Sequence, residues 1–177
     1  MCSSDLRKRV QQQRWSRREE TDFYKTVSSF GIERERASKK FIWATFRQLA
    51  HLEKKYDETL TEYFMAFRHM CMLVCKRFKT EEESVPPNSL MVEPLTEERA
   101  SRCLARIDLL LKIREEILWH PKLGERMKLC QMSPDLPEWW EPGTHDKELL
   151  IGAAKHGLSR ADLHILHDPK LIFKEVV

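Results

Sequence analysis

The feature that most limits the fold of this chain is a run of large side chains, Leu60, Phe64, Phe67, Cys71, Val74 and Phe78, stepping by four and three residues in turn. That spacing is the period of an α-helix and draws one apolar stripe along about five turns. Such a stripe has to be covered by other helices, and two segments upstream supply them. Ser16-Arg17-Arg18-Glu19 has capping-box spacing, in which the hydroxyl accepts a first-turn N–H and the carboxylate reaches back. The helix opened there carries Phe23, Val27 and Phe30 on one face and closes at Gly31, a residue suited to a left-handed cap. A second helix is expected over roughly Phe41 to Leu52, with Ile42, Phe46 and Leu49 on one side and Trp43 and Ala50 beside them. Residues 14–79 therefore read as a three-helix unit.

The remaining chain continues in the same style. Thr96 is placed to cap a long helix, Glu97 and Glu98 complement its positive end, and Leu104, Ile107, Leu111 and Leu118 share a face up to about Trp119. Pro121 stops it, and a short helix follows from Leu123 to Cys130, so residues 95–132 form a long connecting helix plus a short one. Trp140 then precedes a helix with Thr144 and Asp146 at its start and Gly157 as its cap. Ser159-Arg160-Ala161-Asp162 opens another, and Asp168-Pro169 begins a third that reaches Val177 after about two turns. Residues 133–177 thus read as a second unit whose third helix is incomplete. Residues 1–13 stay outside this scheme: Cys2-Ser3-Ser4-Asp5-Leu6 resembles a translated sequencing adaptor, and residues 1–13 are expected to be disordered or a scar, the natural chain continuing upstream of Arg7.

Charge is unevenly spread. Net charge over all 177 residues is only +3, yet residues 1–79 carry 18 Lys and Arg against 10 Asp and Glu, and residues 99–132 carry 8 against 4. Residues 80–98 have six acids and no base, and residues 133–177 carry 5 bases against 8 acids. The run from Thr80 to Pro94, with Glu81-Glu82-Glu83 and Pro86-Pro87, reads as an acidic linker at 80–94. There is no run of eighteen uncharged apolar residues, so no membrane contact is expected, and no apolar signal segment opens the chain. Five scattered cysteines point to reduced thiols inside the cell.

The aromatic-centred three-helix pattern, with Trp15, Phe23, Phe30-Gly31, Trp43 and Asp57-Glu58-Thr59 leading into Tyr63, resembles the SANT/Myb-like domain. Leu95-Thr96-Glu97-Glu98-Arg99-Ala100-Ser101-Arg102, Leu123-Gly124-Glu125-Arg126, Leu136-Pro137-Glu138-Trp139-Trp140-Glu141 and the run from His145 to Gly157 resemble the region after the ATPase motor of chromodomain helicase DNA-binding remodelers, in the subfamily that also carries BRK domains. The likeness is stronger after Leu95 than between Glu33 and Asn88. It implies an all-α fold of two SANT/Myb-like units joined by a long helix, in a SANT-SLIDE-like module. It further implies double-stranded DNA and the nucleosome as partners, an upstream ATPase motor in cis, and a nuclear location.

On that reading the DNA-phosphate candidates are Arg17, Arg18, Lys39, Lys40, Lys54, Lys55, Lys76 and Arg77 in the first unit and Lys155, His156 and Arg160 in the second, where a helix start near Ser159 is a further phosphate seat. The plain alternative is that these are solvated helix faces. Asp57, Glu58 and Glu62 are candidates for a basic histone tail, against simple complementation of a helix dipole. Trp15, Trp43, Trp139 and Trp140 are expected in cores rather than against bases. His69, Cys71 and Cys75 lack the spacing of a zinc site, and His164 and His167 have no third ligand nearby. The five glycines form no phosphate loop or dinucleotide fingerprint, and no nucleophile elbow or paired His-Glu-x-x-His helix is present, so neither catalysis nor a cofactor is expected. The alternative function is a helical protein-interaction module that binds histone tails or docks on the motor.

Overall fold

The computed structural model describes residues 2–176; Met1 and Val177, at the outer ends of the expected 1–13 and 133–177 spans, lie outside the described residues. Among the described residues the chain is all-α apart from one two-stranded ribbon. It divides into two compact units, Met1–Ser28 with Ile32–Ile107 and Ser29–Gly31 with Asp108–Val177. The division falls inside the long helix and not at the acidic segment 80–94.

In the first unit α1 (Ser3–Gln12) has no buried residue and leaves Leu6 and Val10 exposed, so the opening segment is helical although its sequence fits no packed element. α2 (Arg17–Ser29) begins as its sequence dictates: the Glu19 N–H donates to Ser16 Oγ at 3.2 Å and the Ser16 N–H donates to Glu19 Oε1 at 3.0 Å. β1 (Glu33–Arg34) and β2 (Phe41–Ile42) follow, paired antiparallel with Glu33 opposite Ile42. The expected second helix is therefore shorter than its apolar pattern, and α3 covers only Ala44–Leu49. Phe41 and Ile42 are an aromatic and a β-branched residue that suit a ribbon, and Lys39 at φ 61° turns the chain back into it.

α4 (Asp57–Val74) carries the long stripe, burying Leu60, Phe64, Phe67 and Cys71. It stops before Phe78 because Lys76 adopts φ 53°, and Phe78 leaves the stripe to pack on the His69 ring, centroids 5.0 Å apart. Phe23, fully buried, sits at the centre of an aromatic cluster, 5.0 Å from Phe46, 4.7 Å from Tyr63 and 5.6 Å from Phe67. Trp15 stacks on Tyr63 at 3.9 Å, and Trp43 is buried with its Nε1–H donating to Thr61 Oγ1 at 3.0 Å. The acidic segment after α4 is exposed yet tied to it: Asn88 Nδ2 donates to the Glu62 carbonyl at 2.9 Å, and the Leu95 N–H meets Met70 Sδ at 3.4 Å.

α5 (Glu97–Lys112), capped by Thr96 Oγ1 on the Arg99 N–H at 3.3 Å, runs into a π-helical stretch at Ile113–Ile117. In the second unit α6 (Leu123–Met127) packs on α7 (Thr144–His156), while α7, α8 (Ala161–His164) and a 3₁₀ turn (Ile172–Glu175) surround Ile165, Leu171 and Phe173, with Trp139 and Trp140 packed against them. α7 starts at Gly143, whose N–H donates to Asp146 Oδ2 at 2.8 Å, and ends at Gly157. Among the described residues after Pro169 there is a single 3₁₀ turn, Ile172–Glu175, where an incomplete third helix is expected.

Gly157 has φ 83°, and a Cβ there would collide with the Ser29 carbonyl oxygen and lie 2.8 Å from Phe30 Cα, while the next N–H, of Leu158, donates to the same carbonyl at 2.7 Å. A left-handed backbone and a backbone-to-backbone approach coincide at one residue. Gly157→Ala is expected to destabilise the second unit by about 2–4 kcal/mol. Two-probe thermal melting, with Trp140 fluorescence reporting that unit, is the check.

Candidate nucleic-acid interface

The sequence candidates fall on several different elements of the first unit. Arg17 and Arg18 occupy the exposed first turn of α2, and the Arg18 side chain, 86% exposed, approaches Asp22 at 3.9 Å. Lys39 and Lys40 sit in the loop of the β1–β2 hairpin, where every residue from 35 to 40 is exposed. Lys76 and Arg77 follow the end of α4, and Arg77 Nη2 donates to Ser101 Oγ at 2.8 Å. Lys54 is exposed in the loop before α4.

Lys55 is the correction. It is 3% exposed, and its ammonium donates to the Gln12 carbonyl, to the Arg14 carbonyl at 2.9 Å and to Glu19 Oε2 at 2.7 Å. It also lies 5.2 Å from the Trp15 ring centroid. An ammonium needs its three protons satisfied once it leaves water, and all three are. Burial raises the Glu19 carboxyl, but the Lys55 ammonium and the Ser16 N–H and hydroxyl outweigh it, so Glu19 titrates below its ordinary range. Lys55 therefore leaves the phosphate-contact set and joins the core.

The histone-tail candidates sit beside it. Asp57 is bound by the Arg47 guanidinium, while Glu58 and Glu62 are exposed on α4. Lys54, Asp57 and Glu58 share one open hollow of mixed sign, so this region presents no single charge to a partner. A second cavity of about 510 Å³, floored by Tyr24, Tyr63 and Phe67, brings Arg17 together with Lys25 and Arg99. Burial and then the Glu20 carboxylate, 3.2 Å away, push the Tyr63 hydroxyl well above the ordinary phenol range, so it stays a proton donor.

In the second unit the expected cluster at Lys155, His156 and Arg160 is organised by a carboxylate. Buried Asp168 accepts Lys155 Nζ at 2.5 Å and lies 2.7 Å from His156 Nε2, and its other oxygen accepts the Lys170 N–H at 2.8 Å. The Lys155 ammonium, the Lys170 N–H and His156 hold the Asp168 carboxyl far below the ordinary carboxylate range. Arg160 is exposed at φ 53° and stands where a cap was expected from Ser159. α8 starts near Ser159 as expected, at Ala161, but is only four residues long and has no side-chain cap.

Sequence reasoning passed over Arg34 and Arg36, which share the hairpin with Lys39 and Lys40, and Arg7, Lys8 and Arg9 on exposed α1. Ile32 before the polar run and Phe41-Ile42 after it are the signal of a short ribbon that finds the hairpin. Among the described residues no group of three or more His, Cys, Asp or Glu is arranged to hold a metal ion, and no helix is long and apolar enough to cross a membrane.

Residues 2–97 match the family described as "Chromodomain-helicase-DNA-binding protein 6-9, tri-helical". That is more than half of the chain, which therefore belongs to this family. Within that span α2, α3 and α4 pack around Phe23, and α3 and α4 lie between Glu33 and Asn88, where the resemblance read from sequence is weaker. Chromodomain-helicase-DNA-binding protein 7 of Gallus gallus is 59% identical over 163 residues, 92% of this chain and 5% of that protein. Protein 9 of Mus musculus is 57% identical over 162 residues, 92% of this chain and 6% of its own length. Protein 8 of Homo sapiens is 50% identical over 170 residues, 96% of this chain and 7% of its own length. The chain thus spans about one-twentieth of the relatives it matches. No solved structure matches it.

Two outcomes follow from the charges. Lys55→Met takes the partner from Glu19 Oε2 and from two carbonyls and is expected to cost on the order of 3 kcal/mol, whereas Lys54→Met next to it costs less than about 0.5 kcal/mol; urea denaturation of the two variants checks this. A carboxyl depressed in the fold stabilises it above its unfolded pKa and loses that contribution as pH falls. Asp168→Asn is therefore expected to lower the melting temperature at neutral pH, with the gap to the unsubstituted chain closing as pH drops below about 4.

Proposed function

We propose that this chain is a duplex-DNA-binding accessory module of a longer, nuclear, ATP-dependent chromatin remodeler, whose motor precedes it in the same polypeptide. The observation that carries the reading is the exposed basic set of the first unit, Arg17, Arg18, Lys39, Lys40, Lys54, Lys76 and Arg77, in a segment with 18 bases against 10 acids. Membership of a family whose relatives are named helicase-DNA-binding proteins supports it. Contacts of this kind are to phosphates: they neutralise backbone charge, release counterions and select little by sequence. On nucleosomes the same surface grips nucleosomal or flanking DNA and tethers the motor there.

If about five phosphates are neutralised, log affinity for a plain duplex falls against log salt with a slope of about −4 to −5. Fluorescence anisotropy between 50 and 250 mM salt reads it. A slope near zero rejects phosphate contact, and retention of histone-tail peptides without duplex turns the assignment to the protein-interaction reading through Glu58 and Glu62.

A further inference from the structure

Three serines share one local pattern, an arginine two positions before and a cation immediately after: Arg14-Trp15-Ser16-Arg17, Arg36-Ala37-Ser38-Lys39 and Arg99-Ala100-Ser101-Arg102. A hydroxyl bracketed by cations is complementary to the acidic substrate cleft of a basophilic serine kinase. Sequence alone does not choose among them. Such a kinase has to draw several residues into an extended strand, so what decides is how firmly the fold holds each hydroxyl and its neighbours.

Ser16 is held in the α2 capping box by two hydrogen bonds with Glu19, at 3.0 and 3.2 Å, and its neighbour Trp15 is stacked on Tyr63. Extending that stretch means unwinding the helix start and withdrawing a core indole. Ser101 lies within α5, half-buried, accepting Arg77 Nη2 at 2.8 Å, between fully buried Ala100 and Cys103. Ser38 differs. It occupies the turn of the β1–β2 hairpin, residues 35–40 are exposed throughout, and its Oγ accepts the Lys40 N–H at 3.3 Å. Opening the loop breaks, among its contacts, the backbone bonds between Glu35 and Lys39 and between Glu35 and Lys40, each 2.8 Å, and the residues it moves, 35–40, are already exposed.

We propose that Ser38 is a phosphorylation site for a basophilic serine kinase, and that its phosphate weakens the hairpin's grip on DNA. The second half rests on the duplex-binding reading above. In the transfer, Ser38 Oγ bonds to the γ-phosphorus of ATP as the bond from that phosphorus to the bridging oxygen of ADP breaks, and the hydroxyl proton passes to the kinase's catalytic base. Residues 34–40 carry Arg34, Arg36, Lys39 and Lys40 against Glu35. A phosphoserine adds about −1.5 to −2 charge in their midst, cancelling roughly half to two thirds of that excess. Its oxygens also compete with DNA phosphates for the same cations.

Two arms test this on the whole 177-residue chain. In the first, the chain is incubated with magnesium ATP and the catalytic domain of a kinase selective for arginine at −2 and lysine at +1. Tandem mass spectrometry is expected to place the phosphate on Ser38, and Ser38→Ala to abolish it. Phosphate on Ser16 or Ser101 of the folded chain, or none at all, overturns the site. In the second, chain carrying phosphoserine at position 38, installed by stop-codon suppression, is expected to bind a duplex of about 30 base pairs roughly tenfold more weakly, with a salt slope about two units shallower. Ser38→Ala keeps the affinity of the unsubstituted chain. Affinity of the phosphorylated chain within twofold of the unmodified one overturns the regulatory half. If the unmodified chain binds no duplex, the duplex-binding reading and the regulatory half fall together, and the labelling arm still decides the site.

Discussion

One buried ammonium closes the first unit. Lys55 comes from the loop before α4, and the groups it satisfies, the carbonyls of Gln12 and Arg14 and the carboxylate of Glu19, come from the segment that enters α2 and from the first turn of α2 itself. Removing an ammonium from water costs several kcal/mol, so the contact stabilises only while every partner stays in place. That requirement fixes the entering segment against the loop. Gln13 then reaches the start of α4, where its Oε1 accepts the Tyr56 N–H at 2.9 Å and the Thr59 hydroxyl at 2.6 Å. Tyr56 offers no side-chain cap of its own, so the start of the longest helix in this unit is pinned by a side chain more than forty residues upstream. Trp15, held between the Lys55 ammonium and the Tyr63 ring, joins this polar clamp to the aromatic cluster around Phe23.

The same arrangement sorts the basic residues. Lys54 and Lys55 are adjacent, yet one is in solvent and the other inside. The remaining cations are carried on the start of α2, the hairpin and the end of α4, elements whose own geometry is set locally by the Ser16 cap and the turns at Lys39 and Lys76. Long, exposed side chains of this kind suit a partner that is a line of charge, because each contact is weak, screened by salt and tolerant of position. The hairpin stands out among them: every residue of its loop from 35 to 40 is exposed, and four of the cations lie within seven residues.

Much of the architecture is legible before any coordinates. The Ser16–Glu19 box, the stripe from Leu60 to Cys71 and the stop at Gly157 each rest on nearest-neighbour chemistry, and each stands where its residues put it. The stretch from Glu33 to Ile42 is not legible in the same way, because Phe41, Ile42, Phe46 and Leu49 satisfy a helical period while Phe41 and Ile42 pair with Glu33 and Arg34. Lys55 defeats sequence reasoning for a different reason. Its partners lie some forty residues upstream, and nothing local separates it from Lys54. The second unit shows a third limit: Ser159 has the form of a cap, but Asp168 draws in Lys155 and His156 while Arg160 takes a left-handed backbone, and only one helical turn forms.

The central claim is that solvent-facing cations of the first unit, and not its acids, meet the partner. Amide and side-chain NMR of the uniformly labelled chain, titrated with a short duplex, tests it residue by residue. The account predicts perturbations centred on Arg17, Arg18, Lys39, Lys40, Lys54, Lys76 and Arg77, with the Lys55 ammonium unmoved. Perturbations centred on Glu58, Glu62 and residues 80–94, or an unchanged spectrum at saturating duplex, contradict it.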